Sequence, residues 1–456
     1  MNSLKALILA AGEGTRMKSD IPKVLHKILN KSMIDYVLDA AEAAGAENTC
    51  VVVGSHAEKV TSALEKRGVT FAEQTERLGT GHAVMCAREF VEGENADILI
   101  LYGDTPLLKG ETLKKLVEFH KTENNSATLL SAFVSDPTGY GRIVRDENGL
   151  FAKNVEEKDT TAEEKKINEI NAGVYCFRSG DLLYALDNLK NDNAAGEYYL
   201  PDALEIILSA GGRVNAFAAE DPDEFLGVNS KVQLYEAFKV MQRRINYGFM
   251  EAGITIIDPE NTFLSPDTVI GRDSIIYPGV FLEGGTVIGS RCEIGPDCRL
   301  SSVKVGDGTT IEYSRIKESE IGNNTTVGPF AYIRPDCVIG DNVKVGDFVE
   351  VKNSTVGDGT KISHLTYIGD TDAGKGINFG CGTVTVNYNG KAKFRTTIED
   401  DSFIGCNTNL IAPVKVGKGS YIAAGSTVNK DVPEEAFVIA RERQKNFPNG
   451  RKKLGL

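Results

Sequence analysis

The chain contains 456 residues, with 51 Lys and Arg against 64 Asp and Glu, which gives a formal net charge of −13. This length exceeds one ordinary hydrophobic core and predicts two or three domains. The acidic balance argues against binding of nucleic acid, which needs a basic face. No stretch approaches the roughly 20 apolar residues that span a bilayer, and the first residues are typical of a strand rather than a signal peptide. We therefore expect a cytoplasmic protein with no membrane partner.

Residues 1–229 alternate strand-like and helix-like segments. The expected strands are Leu4–Ala10, Thr49–Val53 and Ile98–Tyr102, and Met33–Ala44 is a predicted helix rich in Ala. The last of these strands is apolar at every position. A strand without alternation is buried on both faces, which is typical of a mostly parallel sheet covered by helices. This region is predicted to be a Rossmann-like α/β domain.

A glycine-rich loop, residues 11–17 (AGEGTRM), follows the first strand, and Lys23 comes shortly after it. Glycines let backbone N–H groups approach phosphate oxygens, and Arg16 and Lys23 would stabilise charge on a transferring phosphoryl group. The loop is not the dinucleotide-binding GxGxxG, because Met17 occupies the third glycine position, and it is not a Walker loop. A tight turn alone would also explain the two glycines.

Asp104 follows the apolar strand that ends at Tyr102, in the sequence YGDTP. Ligands of open α/β sheets bind at the carboxyl ends of the strands. A carboxylate there suits Mg²⁺, a hard cation that prefers oxygen ligands and is shared with phosphates. An Asp that merely caps a turn is the alternative. The position favours a magnesium contact.

The combination GxGTRM…PK resembles the sugar-phosphate nucleotidyltransferases. This resemblance implies that a sugar phosphate attacks the α-phosphorus of UTP in line and releases pyrophosphate. Arg16 and Lys23 would contact the triphosphate, and Asp104 and Asn229 would hold Mg²⁺. The residues implied to hold the uracil and ribose are Leu9, Ala10, Ala11, Gly12, Gln74, Gly79 and Thr80. Those implied to bind N-acetylglucosamine, which their spacing alone does not identify, are Gly141, Glu156 and Asn171.

Residues 230–250 are predicted to form a single linker helix. Apolar residues recur there at steps of three and four, which makes one stripe along a helix. The stripe consists of Leu234, Phe238, Met241, Ile245 and Phe249. Gly253 then follows as a stop signal, so we expect this helix to connect two domains.

Residues 251–456 show a different period. Aliphatic residues recur every six positions over four runs, at 270–300, 321–351, 356–368 and 398–428. Six residues correspond to one side of a triangular coil, so three hexapeptide repeats make one turn of a parallel β-helix with aliphatic side chains inside. Gly commonly follows the aliphatic residue, as in Ile270-Gly271 and Ile339-Gly340. We expect these glycines to tolerate an unusual φ at the bend.

Two segments leave the six-residue period. The register fails at residues 371–397, and we expect this insert, which carries Asn, Tyr, Lys and Arg side chains, to bind a ligand rather than to be purely structural. The tail, residues 441–456, has six Lys and Arg against one Glu. It either ends in solvent or contacts the phosphates of coenzyme A near Arg441.

His364, in the sequence SHLTYIG, is the candidate general base of the repeat region. An amine must be neutral to attack a thioester, and a His can accept its proton near neutral pH. Arg334 and Lys352 would suit the phosphate of a phosphosugar. Tyr367 and Asn378 would suit its hydroxyl groups. Together these residues favour acyl transfer to an amino sugar phosphate.

Other interpretations of the repeat region remain open. An isolated His on a β-helix is usually a satisfied surface residue, and the same coil can serve only to trimerise a protein. A covalent mechanism through Cys381 or Cys406 is conceivable, although no paired His is evident from the sequence. If the repeat region served only to trimerise the protein, the chain could be a single-function nucleotidyltransferase. A non-enzymatic assembly protein with the same two folds is a further alternative.

With these residues the whole chain resembles the bacterial family of bifunctional N-acetylglucosamine-1-phosphate uridyltransferases / glucosamine-1-phosphate acetyltransferases. The resemblance implies a left-handed parallel β-helix, Mg²⁺ as cofactor, and a homotrimer with acetyltransferase pockets between neighbouring coils. The implied substrates are glucosamine-1-phosphate and acetyl-CoA, then N-acetylglucosamine-1-phosphate and UTP. The further residues implied to line the acetyltransferase site are Cys381, Asn387, Tyr388, Lys393, Cys406, Ala424 and Arg441. The chain departs from the family pattern at Glu157 and Asn389, where His and Asp are usual.

Overall fold

The computed structural model describes residues 2–93, 95–193 and 196–455. The chain divides into two compact units, residues 1–241 and 242–456, and this division falls inside one long helix. The helix covers the predicted linker at 230–250 almost residue for residue. Within the three described ranges, no helix combines the length and the apolar character that a membrane span requires.

The amino-terminal unit alternates strands and helices. Its strands are β1 (Ser3–Leu9), β2 (Lys27–Ile28), β3 (Lys31–Ser32), β4 (Asn48–Val53), β5 (Thr70–Glu73), β6 (Ala96–Tyr102), β7 (Ala127–Phe133), β8 (Arg142–Arg145), β9 (Phe151–Val155), β10 (Glu169–Arg178) and β11 (Val214–Ala218). Its helices are α1 (Met33–Ala43), α2 (Ala57–Ala63), α3 (Thr80–Cys86), α4 (Arg88–Val91), α5 (Gly110–Thr122), α6 (Ser179–Asn188) and α7 (Asp202–Ser209), followed by the long helix α8 (Lys231–Glu251). The strands and the helix expected at 4–10, 33–44, 49–53 and 98–102 are confirmed within two residues.

The main sheet of this unit is mostly parallel. Its strand order is β11-β7-β10-β6-β1-β4-β5, with β8 and β9 attached beside β10. Strand β1 lies parallel to both β4 and β6, whereas β10 is antiparallel to β6 and β7. Alternate residues of β6 belong to two separate apolar clusters, Leu99 and Leu101 to one, Ile98 and Ile100 to the other. Because both faces are covered, every residue of β6 from Ala96 to Leu101 is buried, which confirms the α/β prediction.

The carboxy-terminal unit is a parallel β-helix. Its strands are β12 (Thr255–Ile256), β13 (Phe263–Leu264), β14 (Val269–Ile270), β15 (Ile275–Ile276), β16 (Phe281–Glu283), β17 (Val287–Ile288), β18 (Glu293–Ile294), β19 (Arg299–Val305), β20 (Thr310–Ile311), β21 (Arg315–Ile321), β22 (Thr326–Val327), β23 (Tyr332–Ile333), β24 (Cys337–Ile339), β25 (Lys344–Asp347), β26 (Glu350–Lys352), β27 (Thr355–Val356), β28 (Lys361–His364), β29 (Tyr367–Gly369), β30 (Thr371–Ala373), β31 (Asn378–Phe379), β32 (Val384–Val386), β33 (Thr396–Ile398), β34 (Phe403–Ile404), β35 (Asn409–Ile411), β36 (Val414–Val416), β37 (Tyr421–Ile422), β38 (Thr427–Val428) and β39 (Phe437–Val438). The short helix α9 (Gly450–Lys453) lies in the tail. Each strand pairs in parallel with the equivalent strand of the next coil, as Ile276 does with Ile294.

The hexapeptide prediction is confirmed by burial. Residues at the predicted inward positions, such as Leu282, Ile333 and Ile404, are fully buried and belong to one continuous apolar cluster. The carboxy-terminal half of α8 continues this core, because Ile245 and Phe249 pack against the same cluster. The period of six therefore encodes an internal column of aliphatic side chains.

The glycines that follow the inward aliphatic residues were expected to adopt an unusual φ, and for most of them this prediction is wrong. Eleven glycines directly follow a predicted inward residue, and only two of them have a positive φ, Gly295 at 113° and Gly328 at 109°. At most of the others the next coil leaves no room for a side chain. A Cβ on Gly271, for example, would lie 2.6 Å from the carbonyl carbon of Gly289. These positions need Gly because stacked backbones approach closely, and the positive φ falls on residues such as Asp273 and Asn342.

The predicted insert at 371–397 is too long. Strands β30, β31 and β32 continue the coil through this region, and Ala373, Phe379 and Thr385 occupy buried inward positions six residues apart. The aliphatic pattern misses them because none of the three is an aliphatic Val, Ile or Leu. The segment that leaves the coil is residues 387–395, since Ala373 pairs with Ile398 on the following coil.

Candidate active sites

A cleft of about 270 Å³ opens at the carboxyl ends of β1 and β6. These strands are parallel neighbours, with Leu9 opposite Tyr102, so the loops that follow them meet at one edge of the sheet. Nine residues implied by the resemblance line this cleft: Leu9, Ala10, Ala11, Gly12, Lys23, Gln74, Gly79, Thr80 and Asp104. Tyr102, Arg77, Glu197 and Tyr199 also line it, although the sequence did not single them out.

Lys23 joins the two candidate magnesium ligands. Its ammonium group donates hydrogen bonds to the carboxylate of Asp104 and, at 3.0 Å, to Oδ1 of Asn229. The backbone N–H of Val228 donates to the carbonyl of Asp104 at 2.9 Å, which brings Asn229 to the cleft from a distant part of the chain. One carboxylate and one amide oxygen thus converge on a single cation, a donor set that fits Mg²⁺.

The protein supplies few metal ligands of its own at this place. Among the described residues, no group of three or more His, Cys, Asp or Glu side chains could hold a metal ion. Mg²⁺ characteristically uses one or two carboxylates and takes its other ligands from water and substrate phosphates. Asp104 and Asn229 therefore suit a metal that arrives with a nucleotide.

Arg16 is not among the residues that line the cleft. It is exposed on a 3₁₀ turn at Thr15–Met17. Within the same loop, Glu13 forms a two-fold ion pair with Arg77, with N–O distances of 2.5 and 2.8 Å. This pair ties the glycine-rich loop to the loop at 74–79, and the hydrogen bonds and charge of Arg77 hold the pKa of Glu13 below its usual range.

Gln74, Gly79 and Thr80 form one rigid segment. The Gln74 side-chain amide donates to the carbonyl of Gly79 at 3.0 Å, and the Thr80 hydroxyl accepts from the N–H of Leu200 at 3.1 Å. Gly79 has a φ of 100°, and a Cβ there would lie 2.5 Å from the carbonyl oxygen of Tyr198. Only Gly fits this position, for both reasons.

The three residues implied to bind the sugar are brought together by Asn154, which the sequence did not single out. Asn154 accepts from the Asn171 side chain at 3.3 Å and donates to Glu156 at 3.0 Å. The N–H of Asn171 donates to the carbonyl of Gly141 at 2.9 Å. A Cβ on Gly141 would lie 2.8 Å from Asn154 Oδ1, so a side chain at this position would displace that of Asn154.

Tyr102 connects this group with the nucleotide cleft. Burial raises the pKa of its phenol, and the carboxylates of Asp104 and Glu156 raise it further. Both carboxylates must therefore lie close enough to Tyr102 to act through their charges.

In the β-helix, several of the residues implied to line the acetyltransferase site lie along one edge. Backbone hydrogen bonds of 2.7–3.0 Å connect successive coils there, from Leu365 to Asp347, from Gly382 to Leu365, from Asn407 to Cys381 and from Gly425 to Cys406. The resulting row of equivalent positions consists of Asp347, His364, Cys381, Cys406 and Ala424. Arg441 continues it, because its Cδ would lie 3.6 Å from a Cβ on Gly425.

His364 lies on an accessible part of this edge. Its side chain is 58% exposed, and its Nδ1 lies 2.6 Å from Oδ1 of Asp347 on the preceding coil. The hydrogen bond with His364 is the main cause that holds the pKa of Asp347 below its usual range. The sequence did not single out Asp347, since 17 residues separate it from His364.

A basic cluster lies on the next side of the coil. The ammonium of Lys352 is 3.8 Å from the carboxylate of Asp370, which also accepts a hydrogen bond from Asn387. Asn387 also donates to the hydroxyl of Tyr367 at 3.4 Å. The neighbouring ammonium of Lys352 lowers the pKa of Lys393. Two cations against one carboxylate leave a positive charge that suits a phosphate.

The other implied residues surround this cluster less directly. Arg334 donates to Glu350 at 2.9 Å, and Glu350 lies opposite Tyr367 in the strand register. Asn378 begins the strand next to that of His364, where it pairs with Lys361. Tyr388, near the start of the 387–395 loop, is 56% exposed.

Comparison with known proteins covers both units. The Nucleotidyl transferase family matches residues 5–223, the GMPPB C-terminal domain matches residues 258–369, and the Bacterial transferase hexapeptide (six repeats) matches residues 395–430. The Bifunctional protein GlmU of Clostridium novyi (strain NT) is 52% identical over 451 residues, 99% of each chain. That of Thermoanaerobacter pseudethanolicus is 53% identical over 446 residues, 98% of this chain and 97% of its own.

The chain belongs to the bifunctional GlmU family. The GlmU match runs through both the nucleotidyltransferase unit and the hexapeptide unit, so the resemblance inferred from the motifs is confirmed. It also sets aside the alternatives of a single-function nucleotidyltransferase and of a non-enzymatic assembly protein.

Proposed function

We propose that the chain makes UDP-N-acetylglucosamine in two successive steps. The β-helix transfers the acetyl group of acetyl-CoA to glucosamine-1-phosphate, and the α/β unit then transfers the uridylyl group of UTP to N-acetylglucosamine-1-phosphate. The observation that carries this proposal is that each unit brings together a group of polar side chains. Each group has the chemical functions that its own reaction needs, and the two groups share no residue.

Uridylyl transfer needs no protein nucleophile. A phosphate oxygen of N-acetylglucosamine-1-phosphate attacks the α-phosphorus of UTP, the new P–O bond forms, and the bond to the pyrophosphate leaving group breaks. The protein contributes position and charge. Lys23 and Arg16 provide positive charge for the triphosphate, and Gly141, Glu156 and Asn171 orient the sugar. Mg²⁺, when held by Asp104 and Asn229, supplies further neutralisation of the phosphate charge.

Acetyl transfer needs a base for the amine. The nitrogen of glucosamine-1-phosphate attacks the thioester carbonyl, a C–N bond forms, and the C–S bond to coenzyme A breaks. His364 accepts the proton that the amine loses. Arg334, Lys352 and Lys393 bind the sugar phosphate. Other side chains of the same region orient the hydroxyl groups and acetyl-CoA: Tyr367, Asn378, Asn387, Tyr388, Cys381, Cys406, Ala424 and Arg441.

The active form is a homotrimer in this proposal. The exposed edge that carries His364 would form only one wall of a pocket, and a neighbouring coil would supply the other. The mass in solution tests this point, because a trimer has three times the 49.3 kDa of one chain. A monomer with full acetyltransferase activity would contradict it.

The decisive experiment omits one component at a time. Purified protein receives glucosamine-1-phosphate, acetyl-CoA, UTP and Mg²⁺, and both coenzyme A and pyrophosphate are measured. We expect no pyrophosphate without acetyl-CoA unless N-acetylglucosamine-1-phosphate is added. His364→Ala should abolish coenzyme A release and leave pyrophosphate release from added N-acetylglucosamine-1-phosphate unchanged. Acetylation by His364→Ala at nearly the wild-type rate would refute the assignment of the base.

A further inference from the structure

Asp347 and His364 face each other because of the coil geometry. Strand β25 pairs in parallel with β28, and the register places Asp347 directly opposite His364. The next hydrogen bond along this edge, from the N–H of Leu365 to the carbonyl of Asp347 at 2.9 Å, fixes both backbones. A contact of 2.6 Å between Oδ1 and Nδ1 is therefore built into the stacking of two coils.

The chemistry of the two side chains determines the direction of this hydrogen bond. An ionised carboxylate can only accept, so the imidazole must carry its hydrogen on Nδ1 and donate it. This leaves the lone pair of a neutral imidazole on Nε2. An imidazole that is more than half exposed would otherwise rotate and exchange tautomers freely. The carboxylate also stabilises the imidazolium that forms when Nε2 accepts a proton.

We propose that Asp347 is a positioning residue for acetyl transfer, which holds the Nδ1–H tautomer of His364 and directs Nε2 toward the amine of the sugar phosphate. This inference rests on the proposed role of His364 as base. Asp347 acts only through His364 and need not contact the substrate. Proton movement is balanced, because Nε2 gains the proton that the amine loses while Nδ1 keeps its own.

Other charged groups near the pair come from the strands packed on either side. Lys344 lies on the strand of Asp347 and acts on its carboxylate through charge. Lys361 begins the strand of His364 and pairs with Lys344 on one side and with the neutral Asn378 on the other. These strands bring only the two lysines as further charges, so Asp347 is the one negative group that they place beside the imidazole.

A purely structural role for Asp347 is the competing explanation, and the chain offers a matched control for it. Asp358 also forms an ion pair of 2.7 Å between coils, with Lys375. The side chains of this pair are exposed to about the same degree as those of Asp347 and His364. Asp358→Asn removes an equivalent carboxylate with no proposed link to the base. Any loss that both variants share would report only on coil stacking.

The test compares Asp347→Asn, Asp347→Glu, Asp358→Asn and His364→Ala in the full-length protein. Acetyl transfer is followed from about pH 5.5 to 9, a range that brackets imidazole titration, and uridylyl transfer and thermal unfolding serve as controls. For Asp347→Asn we expect kcat for acetyl transfer to fall about 10- to 100-fold, the usual scale for losing a group that orients a functional His. The KM values should stay within about twofold, since substrate contacts are unchanged.

The pH profile separates positioning from structure. Without the carboxylate, the acid limb of kcat/KM should move to lower pH, while Asp347→Glu should restore part of the rate and Asp358→Asn should match the wild type. Asp347→Asn with a wild-type rate and profile would overturn the inference, as would equal losses in Asp358→Asn. If His364→Ala remained active, the proposed base itself would fail, a result distinguishable from either of these. Should Asp347→Asn not fold, Asp347→Ala takes its place, and a wild-type rate and pH profile in that variant would overturn the inference.

Discussion

Glu13 introduces a negative charge into the loop proposed to receive the triphosphate of UTP. Arg77 binds both of its carboxylate oxygens across the rim of the cleft, and both side chains are nearly half exposed. An uncompensated carboxylate at this place would repel the nucleotide. We infer that Arg77 acts by neutralising Glu13 as well as by shaping the cleft.

This pair leads to a prediction about UTP affinity. Arg77→Ala should raise the KM for UTP by up to about fivefold, since exposed ion pairs contribute at most about 1 kcal/mol. The KM for N-acetylglucosamine-1-phosphate should change little. Steady-state kinetics of pyrophosphate release measure both constants.

The double variant supplies the control. Glu13→Ala combined with Arg77→Ala removes both charges and should return the KM for UTP most of the way to the wild-type value, as expected of coupled neighbours. If the single and double variants bound UTP equally poorly, Arg77 would be contacting the nucleotide directly rather than neutralising Glu13.

At the scale of single residues, the sequence identified those side chains that stand within a recognisable motif. Lys23, Asp104 and His364 follow recognisable motifs, and the structure places each on an accessible edge. Asp347, Asp370 and Asn154 were missed because an ordinary polar residue on a surface carries no local signal. Their significance comes from a partner 17 residues away or more.

The elements of the β-helix depend on glycine for a reason that only stacking reveals. At Gly322, a Cβ would lie 2.5 Å from both the carbonyl carbon and the carbonyl oxygen of Gly340 on the next coil. Neither atom can move without displacing a coil. The backbone conformation of Gly322 is itself accessible to any residue, because its φ is not positive.

A pair of glycine substitutions tests this explanation. Gly322→Ala should destabilise the protein by about 1–3 kcal/mol, the usual cost of overpacking a tight interior. Gly248→Ala, at an exposed position in the last turn of α8 with open space around its Cβ position, should instead stabilise by up to about 1 kcal/mol through helix propensity. Denaturant unfolding measures both, and a neutral Gly322→Ala would contradict the close-packing explanation.

The 387–395 loop shows the limit of periodic patterns at this scale. A search for aliphatic residues loses the register once Ala373, Phe379 and Thr385 take the inward positions, although the coil itself continues. Small, aromatic and hydroxyl side chains therefore occupy inward positions of the prism as well as aliphatic ones. The start of the loop could be recognised only from which strands pair.

For the whole molecule, we expect only one of the two reactions, uridylyl transfer, to depend on magnesium. Chelation with EDTA should reduce uridylyl transfer by at least about 100-fold, because metal neutralisation of the phosphates contributes several kcal/mol. Acetyl transfer should be unaffected. Added Mg²⁺ should restore pyrophosphate release in the wild-type protein.

Asp104→Asn tests the same point by removing the carboxylate that is proposed to hold Mg²⁺. It should lower pyrophosphate release strongly, raise the Mg²⁺ concentration required, and leave coenzyme A release at the wild-type rate. Equal loss of both activities in a variant that unfolds at the same temperature as the wild type would contradict a metal role confined to the α/β unit.

Local patterns determined the architecture of this protein from its sequence alone. Unbroken apolar strands, a helical stripe and a period of six each describe which side chains are buried, and burial follows directly from the order of residues along the chain. The tertiary structure alone decided which coil stacks on which, and therefore that Asp347 faces His364, that Asp370 joins Lys352 with Asn387, and that Asn229 reaches Lys23. Such contacts depend on the register between distant segments, a quantity that no local window of sequence contains.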